Sequence, residues 1–145
     1  MLRINKLTDY AVVLLVYMVK AGGRHSAQQV AGETGIPMPT VAKILKTLTR
    51  EGLVVSTRGV SGGYCLGRGA EQITVADIVQ AVEGPIALTS CVDESPDGCG
   101  IGNLCPMNGH WNRVNGAVYR ALSDVTLADM ASDPLPFVPR TVTVA

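Results

Sequence analysis

The sequence lacks a hydrophobic run long enough to cross a bilayer as a helix. Its main apolar run, Tyr10 to Val19, has ten residues, whereas a spanning helix needs about 20. Charged Asp9 and Lys20 bound the run, and Val19-Lys20-Ala21 is a poor cleavage site for a signal peptidase. We therefore expect no membrane contact and no signal peptide, and we interpret the run as a buried core helix.

Cysteine is also scarce, which excludes a disulfide-rich scaffold. The 145 residues contain four cysteines. Cys91, Cys99 and Cys105 share one fifteen-residue loop, and Cys65 stands apart in another segment. This usage favours a reducing compartment, so we expect a cytoplasmic protein.

The sequence has little that would support catalysis. It shows no recognisable set of nucleophile, base and orienting group, and no glycine-rich loop that binds phosphate. We therefore expect that the protein is not an enzyme. With 47% hydrophobic residues, the chain can form one compact core but is short for two domains of typical size.

The net charge of zero hides a strong difference between the two halves of the chain. Residues 1–70 carry nine Lys and Arg against three acids, which gives a net charge of +6. Residues 71–145 carry three basic residues against nine acids, which gives −6. This asymmetry predicts that only the first half meets a polyanion.

The first half is predicted to form a helix-turn-helix unit. The first helix runs from Thr8, as its N-cap, to Ala21 before Gly22-Gly23. A short second helix begins at Ser26 with a capping box, and His25 helps this helix begin or faces phosphate. The third helix covers residues 39–51, with Pro39 at its first position. This arrangement is typical of DNA-binding proteins.

The third helix has two distinct faces. Val41, Ile44, Leu45 and Leu48 follow the spacing of a core stripe, and the opposite face carries hydroxyl and cationic side chains. Such a face can contact the bases and phosphates of a major groove, although a solvated amphipathic helix has the same pattern.

After this helix the sequence predicts a β-hairpin with a glycine-rich, basic tip. Leu53-Val54-Val55 has strand character, and residues 57–64 form the turn that leads to Cys65-Leu66. Arg58 could reach a minor groove, and we interpret the hairpin as a wing. The residues that we expect to contact DNA are Ser26, Pro39, Thr40, Lys43, Lys46, Thr47, Arg50, Arg58, Gly59, Gly62, Gly63 and Tyr64.

The cysteine loop is rich in Gly, Pro, Asp and Ser, so little hydrophobic material organises it. Thiolates of Cys91, Cys99 and Cys105 are candidate ligands for an iron–sulfur cluster. With His110 they could also form a tetrahedral zinc site, although the lack of a Cys-x-x-Cys pair counts against zinc. Reactive redox thiols are the third alternative. Cys65 is interpreted as a small buried residue of the wing.

A helix after the loop carries an apolar stripe with alternating spacings of three and four. The stripe is Trp111, Val114, Val118, Ala121 and Val125. It could pack against the chain's own core, but a winged domain has little core to spare. We favour two-fold pairing, which would place two recognition helices on half-sites about one DNA turn apart.

Five motifs are spread along the chain. They are Leu7-Thr8-Asp9-Tyr10-Ala11, Arg58-Gly59-x-x-Gly62-Gly63-Tyr64-x-Leu66, the helix from Ile73 to Gly84, the three-cysteine loop, and Gly109-His110-Trp111-x-Arg113-Val114-Asn115 followed by Ala121-Leu122. In these motifs the chain resembles the winged-helix family of bacterial iron–sulfur regulators that includes IscR, NsrR and RirA. The resemblance covers residues 1 to about 130, and the last of the motifs is closest to the members that regulate SUF assembly operons.

The resemblance implies a homodimer that binds a palindromic double-stranded operator and holds a 2Fe–2S or 4Fe–4S cluster. IscR-like members take their fourth ligand from a histidine whose position here is Asn108, two residues before His110. NsrR-like members use an aspartate of the partner's first helix, and Asp9 matches that position. We favour Asp9 over His110 as the fourth ligand.

We therefore predict a mainly α fold with a small β-wing: a winged helix-turn-helix plus a long C-terminal dimerisation helix. The expected divisions are a DNA-binding domain (1–84), a cluster-binding loop (85–108), a dimerisation helix (109–131) and a flexible tail (132–145). The predicted function is an iron–sulfur-sensing transcriptional regulator, a repressor of suf-type assembly genes. Alternatives are a nitric oxide- or iron-responsive repressor on this scaffold and a zinc-stabilised dimeric adaptor.

Overall fold

A computed structural model describes residues 2–92, 99–101 and 104–132 of the chain. The fold is mainly helical with one small antiparallel sheet, as predicted. In chain order, the elements are α1 (Lys6–Ala21), α2 (Ala27–Thr34), α3 (Met38–Arg50), β1 (Val54–Thr57), β2 (Gly63–Leu66), a 3-10 turn (Ala70–Gln72), α4 (Val75–Glu83), α5 (His110–Ser123) and α6 (Leu127–Ala131).

Helix α1 begins earlier than the sequence predicted. Asn5 is its N-cap, and the side-chain oxygen of Asn5 accepts a hydrogen bond of 2.8 Å from the backbone N–H of Thr8. The prediction that Thr8 caps the helix is therefore wrong. Thr8 lies fully buried in the first turn, where its hydroxyl donates to the Glu83 carboxylate at 2.8 Å. Asn caps helices at least as well as Thr, so the earlier residue takes the role.

Helices α2 and α3 follow the predicted pattern with one shift. Ser26 and Gln29 form the expected capping box, and Gly35 ends α2 in the left-handed region. Helix α3 begins at Met38, so Pro39 takes its second position rather than its first. The first turn tolerates this because its N–H groups have no intrahelical partners in any case.

The core lies where α1, α3 and α4 meet. Leu14 and Leu15 of the apolar run are fully buried, as predicted. The buried stripe of α3 packs with them, and α6, which contacts α1, adds Leu127 to the same core. The largest fully buried side chains are Leu14, Leu15, Ile44, Leu45, Leu48, Leu53, Ile73, Ile78, Leu127, Val30, Val41 and Val54.

The long helix expected over residues 109–131 is two helices, and this expectation is corrected. Thr126 caps α6 in a capping box with Asp129, and these hydrogen bonds hold the pKa of Asp129 below its usual value. The N–H of Leu127 donates to the Ile73 carbonyl at 2.7 Å, and its side chain is fully buried. Helix α5 therefore ends at Ser123, and a separate short helix places Leu127 in the core of the winged domain.

Two predicted regions fall partly outside the described residues. In the cysteine loop, residues 93–98 and 102–103 lie outside them, as does the expected tail from residue 133 onward. Within the described ranges, no helix is both long and apolar enough to cross a membrane.

Candidate DNA-binding surface and metal-binding loop

Helix α3 presents a cationic face to solvent. Val41, Ile44, Leu45 and Leu48 anchor the opposite face in the core with at most 1% exposure. Because these apolar residues fix the rotation of the helix, the polar residues share the outer face. On that face Lys43, Lys46, Arg50 and Pro39 are exposed, and Thr40 and Thr47 are half-buried.

Near the C-terminal end of α3, the side chains of Thr47 and Arg50 each contact another group of the protein. The Thr47 hydroxyl donates to the Lys43 carbonyl at 3.1 Å, so its oxygen can still accept a hydrogen bond. The Arg50 guanidinium lies 3.3 Å from the Glu51 carboxylate, and both side chains are largely exposed. An exposed ion pair of this kind contributes about 0–1 kcal/mol, so a phosphate can replace Glu51 as the partner of Arg50.

Ser26 is the N-cap of α2, the first helix of the helix-turn-helix. Its hydroxyl oxygen accepts from the Gln29 N–H at 3.1 Å, and its own N–H donates to the Gln29 side chain at 2.8 Å. The hydroxyl proton of Ser26 is not used by this cap.

The wing is a two-stranded hairpin whose tip carries an exposed arginine. Thr57 pairs with Gly63 at its end, and the N–H of Gly62 donates to the Gly59 carbonyl at 2.9 Å across the turn. Arg58 lies in this turn and is exposed. Gly59 has a φ of 109°, which L side chains rarely adopt.

The other wing glycines are required by contacts inside the protein. A Cβ on Gly62 would collide with the Thr57 carbonyl oxygen, and one on Gly63 would lie 2.9 Å from the His25 carbonyl oxygen. Tyr64 is half-buried against the core, and its backbone pairs with His25. The sequence analysis predicted that Gly62, Gly63 and Tyr64 contact DNA, which stays a prediction, and the structure shows that each has close contacts inside the protein.

The three loop cysteines are accessible free thiols. Cys91 is exposed, with its sulfur 3.0 Å from the Thr89 hydroxyl, and Cys99 and Cys105 are half-buried. Thiolates are the donors that iron–sulfur clusters take, so the donor set fits such a group. In the described parts of the chain, however, no three His, Cys, Asp or Glu side chains converge on a metal site. Cys65 lies half-buried in β2, opposite Val55.

The two candidate fourth ligands lie at different places. Asp9 is exposed in the first turn of α1, beside a shallow groove lined also by Arg3, Ile4 and Met130. His110 is the exposed first residue of α5. Both side chains are accessible to a second chain.

Helix α5 leaves most of the predicted pairing stripe uncovered. Trp111 is 41% exposed and Val114 is 45% exposed, and Ala121 is exposed. Val118 is half-buried and lines an apolar groove against the segment 85–88. Val125 is 37% exposed but follows the end of α5, so it does not extend the stripe along the same axis.

Two hydrogen-bonded links that the sequence reasoning missed join these regions. Asn115 on α5 donates to the Ile86 carbonyl at 2.7 Å and accepts from the Leu88 N–H at 2.9 Å. The second link is the buried Thr8 hydroxyl on Glu83. Asn is a weak helix former, so an Asn inside an amphipathic helix was the available signal for a specific partner.

Comparison with known proteins places the chain in a family. Residues 4–133 match the family described as Rrf2, iron-dependent transcriptional regulator. The protein aau3 of Rhizobium meliloti strain 1021 is 32% identical over 130 residues, which are 89% of this chain and 84% of that relative.

Solved structures agree with this assignment. CymR of B. subtilis, described as the global cysteine regulator, is similar with a TM-score of 0.69 and 30% identity, covering 92% of this chain and all of that one. IscR of T. potens is similar with a TM-score of 0.65 and 27% identity, covering 89% of this chain and 85% of that one. The chain therefore belongs to the Rrf2 family of winged-helix, DNA-binding transcriptional regulators.

Proposed function

We propose that this regulator holds an iron–sulfur cluster and that the state of the cluster controls its affinity for DNA. The observation that carries the proposal is the set of three accessible free thiols, Cys91, Cys99 and Cys105, in one loop beside a winged-helix domain. The similarity to IscR of T. potens and the family's description as iron-dependent support it. A protein that acts on DNA in this way would work in the cytoplasm.

In the proposed site, the thiolates of Cys91, Cys99 and Cys105 hold three corners of the cluster, and Asp9 of the partner subunit holds the fourth. A bound 2Fe–2S or 4Fe–4S cluster supplies a centre that oxygen, nitric oxide or iron supply can alter. A carboxylate is a harder and weaker iron donor than a thiolate, so that corner is the most labile. His110 is the alternative donor for the same corner.

Hydrogen bonds offer a path from this loop to the DNA-binding surface. Asn115 ties α5 to the segment that leads to Cys91, and Thr8 ties the first turn of α1, next to Asp9, to Glu83 at the end of α4. Helix α4 packs against α3, the proposed recognition helix. A change at the loop can thus shift α1 and α4 together and alter how α3 is presented.

On DNA, α3 would enter the major groove and the wing would contact the adjacent backbone or minor groove. Two copies paired through α5 would present two α3 helices to a palindromic operator. By resemblance, we propose a repressor of suf-type iron–sulfur assembly genes. A nitric oxide- or iron-responsive repressor would use the same residues.

A second candidate is regulation through the thiols without a cluster, or a zinc-stabilised adaptor. Of these two, regulation through the thiols is the one favoured by the similarity to CymR, described as the global cysteine regulator of B. subtilis. In the part of the chain that the structure describes, no three His, Cys, Asp or Glu side chains are grouped as a metal site.

Purification under nitrogen separates these candidates. We expect a coloured protein that contains iron and acid-labile sulfide, and we expect Cys91→Ser, Cys99→Ser and Cys105→Ser each to remove most of both. Cys65→Ser is the matched control, because Cys65 lies on β2, and it should retain the full content. Colourless protein with stoichiometric zinc would instead support the adaptor.

Mixed dimers test whether Asp9 acts across the interface. Asp9→Ala and Cys91→Ala proteins are made separately, then combined and reconstituted with iron and sulfide under nitrogen. If Asp9 crosses, each mixed dimer has one intact site, and a fraction of clusters regains the wild-type lifetime in air. If no mixture regains that lifetime, Asp9 is not a ligand across the interface. His110→Ala, analysed alone, tests the alternative ligand.

A further inference from the structure

We propose that His25 is a positioning residue for DNA binding. By pairing with Tyr64, it fixes the second strand of the wing so that Arg58 at the tip can contact the duplex. The inference rests on the proposed role of the wing in binding DNA. His25 precedes α2 in the chain, far from the wing in sequence, and the fold brings the two together.

The backbone of His25 extends the wing sheet by one residue pair. The N–H of His25 donates to the Tyr64 carbonyl at 2.9 Å, and the N–H of Tyr64 donates to the His25 carbonyl at 2.8 Å. Gly63 makes this approach possible, because a Cβ there would lie 2.9 Å from the His25 carbonyl oxygen. The sheet is otherwise two-stranded, and a lone hairpin is marginally stable in water.

The side chain of His25 attaches this pairing to α1. Its Nε2 lies 2.5 Å from the carbonyl oxygen of Gly22, the residue that ends α1, and its Nδ1 lies 3.4 Å from the Tyr17 hydroxyl. A carbonyl only accepts, so Nε2 carries the proton and donates, which leaves Nδ1 to accept from Tyr17. The Tyr17 and His25 rings also meet edge to face, with centroids 5.2 Å apart.

Both ring nitrogens of His25 are therefore engaged inside the protein. The sequence-based suggestion that His25 faces phosphate does not fit this geometry. The companion suggestion, that His25 helps α2 begin, agrees with its place directly before the Ser26 cap.

Backbone hydrogen bonds tie each strand of the wing to the domain, in addition to the packing of Val54, Tyr64 and Leu66 against the core. At one strand, the N–H of Leu53 donates to the Leu48 carbonyl at the end of α3, at 3.0 Å. At the other strand, His25 links the backbone of Tyr64 to the end of α1. Without His25 the second strand would keep its core packing but lose this hydrogen-bonded link, and the tip of the wing would be less firmly positioned relative to α3.

The test measures DNA affinity and its salt dependence with a labelled 30-base-pair duplex of mixed sequence. The variants are Arg58→Ala, His25→Ala, Tyr17→Phe, and His25→Ala combined with Arg58→Ala. Each protein is used as the purified full chain below its unfolding transition. Gln28→Ala, an exposed change on α2 outside the proposed contacts, is the control and should bind like wild type.

We expect Arg58→Ala to lower affinity about three- to tenfold and to reduce the slope of log K against log salt by about 0.9, as for one lost cation–phosphate contact. His25→Ala should give the same change, and the double variant should lose nothing more. Tyr17→Phe removes one hydroxyl, keeps the ring contact, and should give a smaller change in the same direction. His25→Gln can still donate to Gly22 and should recover part of the affinity.

Additive losses in the double variant, or an unchanged salt slope for His25→Ala, would overturn the positioning role while leaving the wing's contact with DNA intact. If Arg58→Ala itself binds like wild type, the wing contact fails, and the role of His25 fails with it. Should His25→Ala not fold, Tyr17→Phe with and without Arg58→Ala provides the same comparison.

Discussion

At the residue scale, two threonines differ in whether a buried hydroxyl has a hydrogen-bond partner, which decides how much that hydroxyl contributes to stability. Thr8 is fully buried and donates to Glu83 at 2.8 Å. The buried hydroxyl of Thr49 on α3 has no hydrogen-bond partner among the described residues. The two positions therefore form a matched pair for a change that replaces a hydroxyl with a methyl group.

We predict that Thr8→Val lowers the free energy of unfolding by about 1 kcal/mol, because it removes a made hydrogen bond. Thr49→Val should be neutral or slightly stabilising, because it removes a polar group that is buried without a partner. Urea denaturation followed by circular dichroism measures both. If both variants lost the same free energy of unfolding, the Thr8–Glu83 hydrogen bond would make no contribution to stability of its own.

Gly63 is a residue whose replacement by alanine is expected to lower stability. It combines a φ of 140° with the close backbone of His25, so Gly63→Ala should cost about 1–3 kcal/mol of stability through strain. Gly32 lies in α2 with open space around it, and Gly32→Ala should stabilise by about 0.5–1 kcal/mol. Thermal unfolding of the two variants gives the comparison, and a stable Gly63→Ala protein would argue against the bridge to His25.

At the element scale, helix ends were predictable where the signal is local. The capping box at Ser26 was predicted correctly from the sequence, because its partner Gln29 lies three residues away. Thr126 and Asp129 form the same motif, yet the break before α6 was missed. The apolar spacing of α5 continues to Val125, so the sequence analysis extended the helix past the local Thr126 signal, whereas in the structure Leu127 is buried in the core.

Helix α5 depends on Asn115 for its attachment to the segment that leads to the cysteine loop. Asn115→Ala leaves the Ile86 carbonyl and the Leu88 N–H without these partners, and we expect a loss of about 1–3 kcal/mol. The Leu88 amide should also exchange its hydrogen faster. Asn112→Ala, an exposed position one turn away, is the control. Unchanged exchange at Leu88 would contradict the proposed attachment.

At the scale of the whole molecule, the exposed side of α5 is the surface that we expect a second copy to cover. Val114 is 45% exposed on an apolar stripe, so Val114→Glu would bury a charge in the interface and should shift the protein to monomer. Asn112→Glu adds the same charge on another face of α5 and should leave the dimer intact. Analytical ultracentrifugation distinguishes the two outcomes, and a dimeric Val114→Glu protein would place the interface elsewhere.

The sequence predicted the individual residues of the candidate site better than the contacts between residues distant in the chain. The two faces of α3 follow from helical periodicity, and the three cysteines are evident from composition. For the fourth ligand the sequence favoured Asp9 and kept His110 as the alternative, and this stays a prediction because the two lie on different helices and the choice depends on a second chain. The attachment of the wing through His25 could not be predicted from sequence patterns either, because its backbone hydrogen bonds join His25 to Tyr64, 39 positions apart in the chain.

The central claim is that cluster status sets DNA affinity. The most direct measurement is the capture of fragmented genomic DNA by the protein purified under nitrogen, compared with the same protein after removal of iron and sulfide. We expect a set of DNA sites with a paired half-site pattern, and we expect the protein's affinity for them to differ at least severalfold between the two forms. Identical sites bound with equal affinity by both forms would contradict it.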